Sequence, residues 1–115
     1  MPALTFHIRT DPAPTLVKVA GEIDLLTAPQ LCDCFLALPD GDLVLDISDV
    51  RLLAAAGLRV MLELQSRRAE AGAQLVLAAP SPPVRRVLCA TRLDQTLRTA
   101  ATVQDAVALV QVAAH

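Results

Sequence analysis

The stretch DISDVRLLAAAGLRVMLEL, Asp46 to Leu64, decides how the rest of the chain reads. Leu43-Val44-Leu45-Asp46-Ile47 is apolar on both faces, as in a central strand covered by helices. Asp49 to Leu53 then carries the chain through a short polar turn to the small-residue loop Ala54-Ala55-Ala56-Gly57, which opens an amphipathic helix. Leu58, Met61, Leu62 and Gln65 share one face of that helix, Arg59, Glu63, Arg67 and Glu70 lie largely on others, and Gly72 stops it. Unpaired N–H groups at such a helix start carry partial positive charge and suit an anion. The loop itself offers three methyl groups and no hydroxyl.

Working outward on the N-terminal side, Leu4 to Arg9 alternates with period two, which predicts a half-buried strand with Leu4, Phe6 and Ile8 inward and His7 outward. Asp11-Pro12-Ala13-Pro14 is a turn, and Thr15 to Ala20 is a second strand that closes an antiparallel hairpin. Thr27-Ala28-Pro29-Gln30 carries helix-start signals: Thr27 as cap, Gln30 completing a capping box, Pro29 in the first turn, and Leu26 with Leu31 at staple spacing. The helix predicted from Ala28 has the stripe Leu31, Cys34, Phe35, Leu38, and Pro39-Asp40-Gly41 ends it. Asp42 to Ser48 is the third strand.

On the C-terminal side, Ala73 to Ala79 is a fourth strand. Ser81 caps a helix with Pro82 at its first position and the stripe Val84, Val87, Leu88, Thr91. Thr96 to Thr99 is a short edge strand, and Thr102-Val103-Gln104-Asp105 starts a last helix with Val103, Ala106, Val107 and Val110 inward. The order β-β-α-β-α-β-α-β-α predicts an α/β fold, a mixed sheet with an N-terminal antiparallel hairpin and four helices packed on it.

Composition narrows the function. The 115 residues are enough for one domain, 1–115, that buries about two-thirds of its unfolded surface. With 54% hydrophobic residues, 2% aromatic and no Trp or Tyr, the core is aliphatic and bases have nothing to stack on. A net charge of −2 supplies no field for a phosphate backbone, so nucleic acid is excluded as a partner. Mean hydropathy is +0.49, yet Arg59 stops the run from Leu52, and Gln104, Asp105 and Gln111 break the run from Val103 to Ala114. Neither reaches the roughly 18 apolar residues of a membrane span, so direct insertion is not expected. Met-Pro-Ala-Leu-Thr-Phe lacks the basic and apolar regions of a secretory leader, which points to the cytoplasm.

Three cysteines make no disulfide framework. Cys32 and Cys34 sit about 200° apart on a helix and do not form a metal pair; they read as small hydrophobes. No metal and no cofactor is expected. No Ser/His/Asp grouping, HExxH, CxxC or phosphate-binding glycine motif is present, and Asp46 and Asp49 read as turn residues rather than paired catalytic carboxylates. With no Lys or Arg in the loop itself, a nucleotide at Ala54 to Gly57 would lack a charged partner.

Three local patterns, in this order and spacing, resemble the STAS domain family, whose best known members are bacterial anti-sigma factor antagonists. They are Gly21-Glu22-Ile23-Asp24 with Thr27-Ala28-Pro29, then Leu43 to Val50, then Gly57-Leu58 opening a helix that ends at Ala71-Gly72. The resemblance implies a non-catalytic module that binds a GHKL-type anti-sigma factor kinase and frees the sigma factor. In the family the kinase phosphorylates a Ser or Thr within Asp-Ser-Ser-Gly-Leu, and the added charge ends binding. Matched residue by residue, Ala54 takes the place of the Asp, Ala55 that of the first hydroxyl residue, and Ala56 that of the phosphorylated one, while Gly57 is kept.

The resemblance also implies a partner-binding surface of Asp24, Leu25, Thr27, Ala54, Ala55, Ala56, Gly57, and the exposed side of the next helix at Leu58 and Arg59. Thr27 is the nearest remaining hydroxyl, with a helix cap as its structural role. Three explanations of the alanines stay open. The chain is a constitutive binder regulated elsewhere; or a STAS scaffold for another regulatory partner in a transporter, lipid-trafficking or stress-sensing complex; or the alanines are substituted or decayed. An exposed apolar patch would serve a homodimer as well as a heterologous contact.

Overall fold

A computed structural model describes residues 3–113. The leader reading at Met1-Pro2 and the end of the apolar tail at Ala114 fall outside them. The elements run β1 (Thr5–Arg9), β2 (Thr15–Ile23), α1 (Ala28–Leu36), β3 (Leu43–Leu53), α2 (Ala55–Glu70), β4 (Leu75–Ala78), α3 (Pro82–Ala90), a 3-10 turn (Leu93–Gln95), β5 (Thr99–Ala100) and α4 (Val103–Ala113). The sheet order is β1-β2-β3-β4-β5, with β1 antiparallel to β2 and every other pair parallel. This is the expected mixed sheet with its hairpin and four helices.

The sheet separates two apolar clusters. Val17, Val19, Leu43, Leu45, Ile47, Leu75 and Leu77 pack with α1, α2 and α3 through Leu31, Phe35, Met61, Leu64, Val84 and Leu88. On the other face Val44, Val76 and Ala78 meet Ala106 and Val110 of α4. That two-sided burial explains why β3 and β4 are apolar without alternation. Among the described residues, no helix is long and apolar enough to cross a membrane.

Several boundaries depart from the sequence reading. β3 does not turn at Asp49 but runs on to Leu53, because β2 also continues to Ile23 and supplies a partner. The 11 residues of β3 oppose 9 of β2, and two irregularities in the ladder, between Lys18 and Ala20 and between Gly21 and Glu22, absorb the difference. These bulges reset the alternation, so Val50 and Leu53, three apart, are both buried. α2 opens at Ala55, two residues before Gly57.

Ile8 points to the helix-bearing face as expected, yet is 48% exposed, since the core that takes in Leu4 and Phe6 does not extend to it at the sheet edge. β4 begins only at Leu75. β5 is Thr99–Ala100, because the Gln65 side chain occupies the backbone upstream, donating to Thr96 O at 2.8 Å and accepting from Arg98 N at 3.3 Å.

Helix ends show which signals acted. Gly72, at φ +77°, closes α2: its N–H donates to Ala69 O, and the Ala73 N–H donates to Arg68 O at 2.7 Å. Thr102 Oγ1 accepts from Asp105 N at 3.0 Å, the cap expected for α4. Ser81 caps nothing; its hydroxyl donates instead to Val50 O and ties the start of α3 to β3.

Candidate interaction site

β2 and β3 are parallel neighbours, so the loops leaving their carboxyl ends lie side by side. Ile23 pairs with Leu53, and the Ala54 N–H donates to Ile23 O at 2.8 Å, which fixes Ala54 beside Asp24.

The first loop is built on Asp24. Its Oδ1 accepts from Leu26 N at 2.9 Å and from Thr27 N at 3.0 Å, and its carbonyl accepts from Ala28 N at 2.9 Å. Thr27 faces inward at 3% exposure: its Oγ1 accepts from Asp24 N at 3.0 Å and donates to Glu22 O at 2.7 Å. The Thr27 N–H foremost, with the Leu26 N–H, holds the Asp24 carboxyl below its ordinary value, and desolvation opposes that shift.

Asp24, not Thr27, therefore accepts from the N–H groups that lead into α1, which corrects the expected Thr27 cap. The capping box is not formed either. Gln30 Oε1 accepts from Leu4 N at 2.9 Å and ties α1 to the chain just before β1. Leu26 does not staple to Leu31: the Asp24-centred turn leaves it 68% exposed beside Leu25 at 77%, while Leu31 is fully buried.

The second loop is the start of α2. Ala54 is extended, at φ −92° and ψ 173°, and its carbonyl accepts from Gly57 N at 3.0 Å and Leu58 N at 3.1 Å. No side chain caps this helix. Ala55 is exposed and Ala56 half-buried.

Gly57 is buried against the strand ends. A Cβ built there would lie 2.7 Å from Leu53 Cδ1 and collide with Ile23 Cγ2. Only glycine lets α2 sit this close. Leu58 contradicts its expected place on the exposed side: at 7% exposure it belongs to the core, on the helix face it shares with Met61 and Leu64. Arg59 is exposed as expected.

The two loops thus bring together Asp24, Leu25, Thr27, Ala54, Ala55, Ala56 and Gly57, with Arg59 one turn along α2. Leu26 was missed as a surface residue. The signal for it was Asp24 followed three residues later by Thr27, a pair that forms local side-chain turns. Residues 54 to 58 carry no nucleophile or ionisable group, and the one buried hydroxyl beside them is held within its own loop. Methyl and leucyl side chains face outward there.

Fold and loops together define a small α/β domain of the STAS type. The chain belongs to the family described as MlaB, STAS domain, whose model matches residues 6–110. It is similar in structure to an anti-sigma factor antagonist from Mycobacterium paratuberculosis, at 29% identity over 94% of each chain with a TM-score of 0.83. The Bacillus anti-sigma factor antagonist SpoIIAA, in its unphosphorylated form, shares the fold at 17% identity over 94% of this chain and 97% of that one, TM-score 0.73. The murine anion transporter Slc26a9 shares it at 16% identity and TM-score 0.72; 85% of this chain matches 18% of the transporter. No curated protein sequence matches.

Proposed function

We propose that this chain is a regulatory protein-binding module, an anti-sigma factor antagonist that engages a GHKL-type anti-sigma factor kinase and is not switched by phosphorylation at position 56. The contact surface is Asp24 to Leu26, Ala54 to Ala56, and Arg59; Thr27 and Gly57, expected on it, are buried and hold the two loops from beneath. The observation that carries the reading is the uncapped, methyl-lined start of α2 held against the Asp24 loop. A phosphate placed there would have to be desolvated on contact, and Ala56 cannot accept one. Thr27 does not replace it, since its hydroxyl is buried and bonded to Glu22 O. The module works in the cytoplasm, catalyses nothing and takes no cofactor.

The test uses the partner kinase with ATP. The native chain binds and takes up no phosphate, whereas Ala56→Ser is phosphorylated and released. Phosphate incorporated into the native chain at any residue would overturn the constitutive form of the reading, and unchanged binding by Ala56→Asp would remove the loop from the interface.

The fold shared with part of an anion transporter favours a second reading, a STAS scaffold in a transporter, lipid-trafficking or stress-sensing complex. A pull-down from the native cell separates the two: a kinase supports the first, and a membrane or stress-complex subunit without a kinase supports the second.

A further inference from the structure

The two edges of the sheet are protected unequally. β5 is two residues long, and a short edge offers little backbone to a second chain. β1 offers five residues whose register against β2, from Thr5↔Ala20 to Arg9↔Leu16, runs without a bulge. It contains no proline and no lysine, two common edge guards. Its Phe6 and Ile8 pair with Val19 and Val17 and so share the sheet face that carries α1, α2 and α3. Phe6 is partly covered there, and Ile8 is 48% exposed.

We propose that β1 is the seam of a two-fold homodimer, in which two copies pair their β1 strands antiparallel with His7 opposite the partner's His7. The sequence TFHIR is self-complementary about its centre. In this register Ile8 faces the partner's Phe6 twice over, on the same sheet face, and gains the cover its own chain does not give it. Arg9 faces the partner's Thr5, so no two guanidinium groups meet. A two-fold centred on Ile8 would oppose His7 to the partner's Arg9, and one centred on Phe6 would carry Arg9 past the end of the partner's strand. Only the His7 centre pairs all five residues, and shifts by a single residue between strands are excluded because they would turn apolar side chains to the wrong face.

The joined sheet has ten strands, and its two-fold sends the two Asp24 loops to opposite ends. The proposed docking surface therefore stays free in each copy. A five-residue seam is small, so association is weak and concentration-dependent.

Sedimentation from about 10 μM to about 1 mM reads it directly, since weak association falls in that range. The weight-average mass rises toward twice that of the chain, and Ile8→Lys keeps it at one chain throughout. A constant single-chain mass for the native protein overturns the proposal. Register is read by disulfide trapping in a chain carrying Cys32→Ser, Cys34→Ala and Cys89→Ser. Facing residues have Cα atoms about 4.5–5.5 Å apart, inside disulfide range, so His7→Cys cross-links on oxidation. Two copies of position 8 stand about 8 Å apart in this register, so Ile8→Cys cross-links at least about tenfold more slowly. Equal rates overturn the His7-centred seam. Ala56→Asp leaves the dimer intact, which separates failure here from failure of the kinase-binding surface; loss of the dimer in that variant would place the seam at the loop and overturn it.

Discussion

Gly57→Ala tests whether the close approach of α2 to the strand ends holds the loop in place. The added methyl would sit 2.7 Å from Leu53 Cδ1 and closer still to Ile23 Cγ2, where carbon atoms normally stand about 3.5–4.0 Å apart. Neither neighbour can yield freely. Ile23 is β-branched and fully buried, and Leu53 is buried beside it. Overpacking of this kind costs about 1–3 kcal/mol. Against it stands the helix propensity gained by replacing glycine with alanine, up to about 1 kcal/mol and less in the first turn. The steric term wins, for a net loss of about 1–2 kcal/mol and a fall in Tm of about 5–10 °C for a domain of this size. Urea unfolding followed by circular dichroism measures it as a lower midpoint at unchanged slope. Trimming the obstacle should recover part of the loss: Leu53→Ala combined with Gly57→Ala destabilises less than the two single changes added together, by at least about 0.5 kcal/mol. A Tm equal to or above that of the native chain, or strict additivity in the double variant, refutes the reasoning.

Other substitutions probe the same loops. Thr27→Val keeps the shape but leaves Asp24 N and Glu22 O without their partner, and should lower stability by about 1–3 kcal/mol in urea unfolding. Ala54→Asp supplies the missing cap at an already extended position and should raise stability by about 1 kcal/mol, read as a higher urea midpoint. The Asp24 carboxyl titrates lower in the folded chain than its ordinary value of 3.8, so its contribution is complete above that value and is lost as pH falls through the depressed folded value. The gap in urea midpoint between the native chain and Asp24→Ala should therefore hold steady at neutral pH and close only below about pH 3.8.

The elements legible in the sequence were those decided by neighbours in the chain. Alternation in Thr15 to Val19, glycine at position 72 and the Thr102 cap all act within a few residues, and each formed as expected. Most of what failed depended on a distant partner, the local Asp24–Thr27 turn apart. The strand character of Asp49 to Leu53 exists because β2 runs alongside it, and two bulges hide the alternation that would have revealed it. The Thr27 hydroxyl bonds back to Glu22 O, Ser81 reaches Val50 O, and Gln30 reaches Leu4 N, so three residues with good capping chemistry spend it elsewhere. At the site, the place of the Ala54 to Gly57 loop followed from a strand running into a helix. The facing of Leu58 was legible as well, from the apolar stripe it shares with Met61; its place on the contact surface went against that stripe.

The two helix starts at the site are built in opposite ways. α1 begins closed, with Asp24 and Thr27 consuming one another's hydrogen-bonding groups. α2 begins open, with a methyl where a cap would stand. It nevertheless needs no cap to be held: Ala54 N is fixed by Ile23 O, and Gly57 is wedged against Ile23 and Leu53. Backbone and glycine thus set the shape of the second loop, and the side chains at 54, 55 and 56 do not. Shape and chemistry there are independent, which is how the chain carries alanine at all three positions and still holds its strand-loop-helix geometry. It follows that a hydroxyl or a carboxylate introduced at 54 or 56 changes what the loop can do without first having to rebuild it.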